Sequence, residues 1–164
     1  NGRIGRMLIP LFLYYKGIIN RPILYISEYF EENRDEYYDK LNAVSENDDG
    51  WMEWIEFFLK AVETQANRNI EKIKKLQSLY AEYKIKINEV LNSKNSIYIV
   101  DALFKIPIFK STKLHEEVLK NVDIDMATIN RYIKKLVEAD IIVPEEGKDR
   151  YVKYYFKKLV DLIQ

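Results

Sequence analysis

The 164-residue chain has no cysteine, which excludes disulfides, zinc–thiolate sites and cysteine nucleophiles. It has one histidine, His115, so a multi-histidine metal site is excluded too. Glycine and proline are scarce, at five and four, and this favours helices over a turn-rich β fold. Charge of one sign is also lacking: 26 Lys and Arg face 26 Asp and Glu. That excludes a strongly basic nucleic-acid binder for the whole chain, though not a local basic face. Long apolar runs are missing as well. The longest, Met7 to Tyr15, has about half the ~20 residues a membrane span needs. It lies between Arg6 and Lys16 and lacks the small-residue cleavage site of a signal peptide. No membrane partner is expected, and the lack of cysteine fits a cytoplasmic location. The first residue is Asn1 rather than Met, as expected of a fragment or a processed product.

What is present is an apolar fraction of 48%, enough for one or two cored domains. A helix is expected from Gly2 to about Lys16, stopped by Gly17 and kinked or broken at Pro10. Ile18 to Pro22 reads as a connector, and Ile23 to Glu32 as a second helix. Asn33 and Glu36 have capping-box spacing, which starts a third helix running from Arg34 to about Val44. Ser45 to Gly50 is a polar loop. From Trp51 a helical pattern lasts about forty residues, with Trp54, Phe58 and Val62 early and Tyr80, Tyr83, Ile87 and Val90 late. Such a helix is roughly 60 Å long unless it breaks near Asn67 to Asn69.

Asn92 to Ser96 is the best boundary, giving domains at 1–94 and 95–164. Beyond it, helices are expected at Ile97 to Phe104, from Ser111 and Thr112 to Lys120, and from Met126 to Ala139 behind an Asp125 cap. A strand at Ile141 to Val143, a turn at Pro144 to Lys148 and a strand at Tyr151 to Tyr155 follow. A short helix from Lys157 to Gln164 closes the chain. Three helices and a β-hairpin form the order of a winged helix-turn-helix. The fold class is therefore mainly α with a small β-hairpin.

Asn1-Gly2-Arg3-Ile4-Gly5-Arg6 opens the first helix. A helix start presents free N–H groups and a positive dipole end, which suits phosphate. Arg3 and Arg6 are three apart, so they share a face and can converge on one polyphosphate. The same residues also fit a solvated, Arg-rich chain terminus.

Here the sequence resembles the Fic, or Fido, family. The family motif reads His-Pro-Phe-x-(Asp/Glu)-Gly-Asn-Gly-Arg-x-x-Arg, and Asn1, Gly2, Arg3 and Arg6 match its last half. Further blocks follow in the family's order: Leu8 to Leu11, Arg21 to Phe30, Asn33 to Tyr38, and Trp51 to Phe58. A winged helix after a long helix is also a layout of bacterial Fic proteins. The resemblance implies that 1–94 is the C-terminal half of a Fic-type domain. It implies a parent adenylyltransferase, a nucleotidyltransferase that moves AMP from ATP to a hydroxyl on a target protein, with Mg2+. Carried over, Asn1 and Gly2 belong to the anion hole, while Arg3 and Arg6 pair with the β- and γ-phosphates. The motif's general-base histidine and metal carboxylate would precede Asn1. His115 is in the wrong domain to replace the histidine. No catalytic or metal residue is therefore expected in this fragment, which is expected to be inactive and to hold no cofactor tightly. The family's inhibitory (Ser/Thr)-x-x-x-Glu-(Gly/Asn) helix has no match, because Tyr83 follows Ser78 and Glu82.

Other residues carry weaker expectations. Tyr37 is a candidate at the nucleotide site, though tyrosines at helical spacing usually pack. Thr128, Asn130, Arg131, Lys134 and Lys135 form the polar side of the would-be recognition helix. Lys148, Arg150 and Lys153 lie on the wing, within reach of DNA phosphates. Residues 95–164 hold twelve Lys and Arg against eleven Asp and Glu, a balance that argues against tight DNA binding. His115 reads as a solvated surface residue, Trp51 and Trp54 as core, and Asp48 and Asp49 as a solvated turn. A DNA-binding regulator with a non-catalytic Fic-like scaffold is the rival to the enzyme. A homodimer is one way to cover the apolar face of the long helix.

Overall fold

The structure is a computed structural model that describes residues 2–46, 50–148 and 151–163. Among the described residues it is mainly helical, with one small antiparallel sheet. Asp48 and Asp49 lie outside the described residues. The chain forms two compact units, Asn1–Glu71 and Lys72–Gln164.

In the first unit, α1 (Gly2–Tyr15) continues through Pro10. Proline cannot bond to the carbonyl four residues back, yet the helix neither breaks nor restarts there. Gly17, at φ +70°, ends it. The Gly17 N–H donates to the Tyr14 carbonyl and the Ile18 N–H to Leu13, both at 2.9 Å, in a Schellman closure. Helix α2 (Ile26–Glu32) starts three residues later than the periodicity suggests. Ile23 to Tyr25 stay outside it, and no side chain of Tyr25 caps it. Asn33 separates α2 from α3 (Arg34–Glu46). Its side-chain amide donates to the Tyr29 carbonyl at 2.8 Å, so Asn33 closes the helix before it.

Helix α4 (Gly50–Leu91) is one unbroken element of 42 residues. The break near Asn67 to Asn69 does not occur. At its start Gly50 lies against α3: an added Cβ would stand 2.3 Å from the Ala43 carbonyl carbon and oxygen, a position that admits only glycine. The core of this unit is Ile26, Tyr29, Phe30, Tyr37, Phe57 and Ala61, with Ile9, Trp54 and Val62 against it. Trp54 packs as expected, but Trp51 is 56% exposed. Trp51 lies in the first turn of α4, one turn before Trp54, and stays outside the core of this unit. Lys40 pairs with Glu53 at 2.8 Å, and Arg68 with Glu32 at 2.8 Å.

In the second unit, α5 (Ser96–Lys105), β1 (Ile108–Lys110), α6 (Ser111–Leu119) and α7 (Met126–Glu138) precede β2 (Val143–Pro144), β3 (Lys153–Tyr155) and α8 (Lys157–Ile163). The expected order of three helices and a hairpin is present. One strand is added: β1 pairs antiparallel with β3, placing Ile108 opposite Tyr155 and Lys110 opposite Lys153. The sheet order is β1-β3-β2. Ile141 and Ile142, expected in the first hairpin strand, sit just before β2 and are buried. They anchor the sheet to the helices rather than form its ladder.

Tyr83, Ile87 and Leu91 of α4 belong to this second core, with Leu103, Leu114, Leu136 and Phe156. The compact units therefore divide between Glu71 and Lys72, inside α4, and not at the expected 94/95 boundary. The polar loop at Asn92 to Ser96 marks a turn within the second unit instead. Its Asn92, at φ +45°, ends α4. The Ser93 and Tyr132 hydroxyls meet at 2.8 Å, which ties that loop to α7.

One buried charge joins α5 to α6. The Glu117 carboxylate is only 7% exposed and is paired with Lys105 and, at 2.5 Å, with Lys120. The lysines hold its carboxyl well below the usual carboxylate range, at about 2. A group depressed when folded stabilises the fold above its ordinary value and loses that effect as pH falls through its folded one. Glu117 therefore contributes fully above about pH 4.5 and progressively less down to about pH 2. Thermal melts should show the wild type losing midpoint temperature across that window relative to Glu117→Gln. Parallel pH curves for the two proteins would remove Glu117 from the acid response.

Candidate functional site

The Gly-Arg run occupies the start of α1, which begins at Gly2. Asn1 lies outside the described residues. Gly2 and Arg3 are placed on the helix by their backbone. Arg6 is half-buried. Its guanidinium carbon lies 5.9 Å from the centroid of the Tyr37 ring, a distance at which a cation is attracted to an aromatic face. The structure thus brings together Arg6 and Tyr37, two of the expected nucleotide-site residues.

Tyr37 itself is 7% exposed. Its ring meets Phe30 at 4.8 Å, Tyr38 at 5.3 Å and Trp54 at 5.6 Å. That environment makes it a core residue that seats Arg6, with little surface left for a base to stack on. If so, the ring matters and the hydroxyl does not. Urea unfolding should place Tyr37→Phe within about 1 kcal/mol of wild type, and Tyr37→Ala about 3–5 kcal/mol lower, the range for emptying an aromatic core site. Equal losses for both variants would show that the hydroxyl carries the effect.

The polar side chains of α7 divide into two groups. Asp125 caps the helix: its carboxylate accepts from the Thr128 N–H at 2.7 Å and from the Thr128 hydroxyl at 3.0 Å. These bonds hold the Asp125 carboxyl below its ordinary value. Thr128 is therefore half-buried and engaged in the cap. Lys135 is half-buried too, and its ammonium lies 3.5 Å from the Leu91 carbonyl at the end of α4. Asn130, Arg131 and Lys134 are exposed. Of the five polar residues expected on the recognition helix, these three share the open face and two are turned to structural partners. Lys134 faces Glu138 at 3.9 Å. Ile129, Tyr132, Ile133 and Leu136 are buried on the opposite side. Between α7 and the sheet a groove of about 500 Å³ is lined by Asn130, Ile133, Lys134, Val137, Pro144 and Tyr154.

On the hairpin, Lys148 pairs with Glu145 at 3.0 Å, and Arg150 lies outside the described residues. Lys153 is exposed and stands opposite Lys110, also exposed. Lys110 went unremarked in the sequence because β1 has only three residues after Pro107 and shows no period of its own. Ala127 was missed as well; its small size at an exposed position of the first turn of α7 was the available signal.

His115 differs from the expectation of a solvated residue. Its Nε2 lies 2.8 Å from the Ile124 carbonyl oxygen and is half-buried. A carbonyl only accepts, so Nε2 carries the proton and donates, tying α6 to the turn before α7. Ser78 and Glu82 stay exposed while Tyr83 is buried in the core. Among the described residues no group of three or more His, Cys, Asp or Glu side chains is placed to hold a metal ion. Also among them, no helix is long and apolar enough to cross a membrane. No protein-family model matches the chain.

Proposed function

We infer that residues 1–94 form the C-terminal half of a Fic-type domain, and that the protein it belongs to transfers AMP from ATP to a hydroxyl of a target protein. The observation that carries this reading is the Asn-Gly-Arg-x-x-Arg run at the start of a true helix, α1, that begins at Gly2. In the transfer, the target's hydroxyl oxygen bonds to the α-phosphorus. The bond from that phosphorus to the β-phosphate bridging oxygen breaks, and pyrophosphate leaves. Negative charge builds on the leaving group, where the helix-start amides with Asn1 and Gly2, and the guanidinium groups of Arg3 and Arg6, are the stabilising elements. Tyr37 serves by seating Arg6.

The reading needs a general base and a magnesium-holding carboxylate. His115 is engaged with Ile124 and does not serve as the base. The described residues do not fit a metal site, so no step is assigned to Mg2+ on this chain. Both groups belong to the first half of the motif.

A second feature agrees with the reading. Ile4, Met7, Leu8, Leu11, Phe12, Tyr14, Tyr15 and Ile18 are all half or more exposed. A helix this apolar is made to be covered, and the remainder of a Fic-type domain would cover it.

Two readouts test the proposal. The gene upstream of the Asn1 codon should encode His-Pro-Phe-x-(Asp/Glu)-Gly. The whole gene product, given a base-tagged ATP analogue and Mg2+, should label protein with AMP. Arg6→Ala should reduce labelling at least tenfold. An absent motif, no label, or labelling indifferent to Arg6 would each overturn the proposal.

A further inference from the structure

We propose that the second unit binds duplex DNA, with the exposed face of α7 in the major groove. This stands independently of the AMP-transfer reading. Three observations carry it.

The first is the composition of the open face. Ala127, Asn130, Arg131, Lys134 and Glu138 are the exposed positions of α7, and their three- and four-residue steps put them on one face. The N-terminal half of that face is free of carboxylates. Asp125, at the cap, is bound to Thr128, and Glu138, at the far end, is paired with Lys134. Ala127 lets the helix start approach closely. Asn130 has the paired donor and acceptor that match adenine N7 and N6, and Arg131 has the fork that matches guanine O6 and N7.

The second is that the helix is held rigidly from behind. Ile129, Ile133 and Leu136 are at most 4% exposed, and the Asp125 cap fixes where α7 begins. A reading helix needs such support to present side chains in register with base edges.

The third is on the sheet. Lys110 and Lys153 are direct cross-strand partners, both exposed. Like charges directly opposite destabilise a ladder. Among the described residues neither lysine forms an ion pair within 4 Å, although Lys153 and Lys148 both act on the Glu145 carboxylate and lower it. The Lys110 ammonium also lies 5.7 Å from the centroid of the Tyr151 ring, and Tyr151 is 83% exposed. An anionic partner relieves this juxtaposition, and a phosphate backbone supplies one. With 26 charges of each sign overall, the binding is local, of modest affinity and strongly salt-dependent.

The test uses the 164-residue chain and a pool of 24-base-pair duplexes with randomised centres, followed by fluorescence anisotropy at 50 mM and 200 mM salt. The expected result is binding at 50 mM that weakens steeply at 200 mM, with enrichment of a preferred sequence from the pool. Lys134→Ala should weaken all sequences alike and lower the log–log salt slope by about one. Arg131→Ala should lose about tenfold or more on the preferred sequence and erase the preference at one position. Ala127→Glu should abolish binding while its thermal melt stays that of wild type. No binding at 50 mM salt overturns the proposal and leaves this face to a protein partner. Binding that survives both Ala127→Glu and Arg131→Ala overturns the assignment to α7.

Discussion

A single helix, α4, supplies buried side chains to two separate cores, and the rest of the structure depends on it. Phe57 and Ala61 complete the aromatic cluster of the first unit. Tyr83, Ile87 and Leu91 lie in the core of the second. The second core, built by α5, α6, α7 and the sheet, therefore includes the last turns of a helix that begins in the other unit. Tyr83 meets Phe156 edge-on at 4.7 Å, and Phe156 meets Phe104 at 5.5 Å. Edge-to-face pairs of this kind contribute about 0.5–1.5 kcal/mol each beyond area burial. They link α4 to α5 and to the residue that follows β3.

The polar contacts follow the same division of labour. In the second unit they close joints. Glu117 bridges Lys105 and Lys120, His115 reaches Ile124, Ser93 meets Tyr132, and Tyr80 donates to Asp101 at 2.6 Å. Each joins segments that the apolar core alone would leave free to slide. On the exposed face of α7 the contacts stay within the helix: Lys134 faces Glu138 at 3.9 Å, and the Arg131 guanidinium carbon lies 5.9 Å from the centroid of the Tyr132 ring. In the first unit the half-buried Arg6 of α1 rests on the Tyr37 ring.

Much of this was legible in the sequence because it rests on local rules. The αL stop at Gly17, the Asp125 cap and the long helix of α4 all follow from residue type and spacing. What escaped was non-local. Strand β1 exists because Ile108 to Lys110 line up with Lys153 to Tyr155, and three residues carry no signal until the partner is in place. The division inside α4 escaped because the helical pattern is continuous while its burial is not. Thr128 and Lys135 read as free polar residues until the structure showed the cap and the α4 carbonyl they serve. At the α1 site, Arg6 and Tyr37 lie far apart in sequence, and their stacking needed the fold. Asn1 and Arg3 owe their place in the argument to sequence alone.

The burial pattern of α4 has a mechanical consequence. Residues 70–75 are all exposed, including Ile70 and Ile73 at 49% and 53%. Their side chains enter neither core, although the Lys72 ammonium donates to the Ile163 carbonyl at 3.0 Å, so these turns persist mainly by backbone hydrogen bonds and by the packed helix on either side. An isolated helical stretch that short is marginal in water. It behaves as a splint clamped at both ends, and its hydrogen bonds open whenever either clamp loosens. Loss of packing in one unit is then felt first as fraying at 70–75, before the other core has lost a contact.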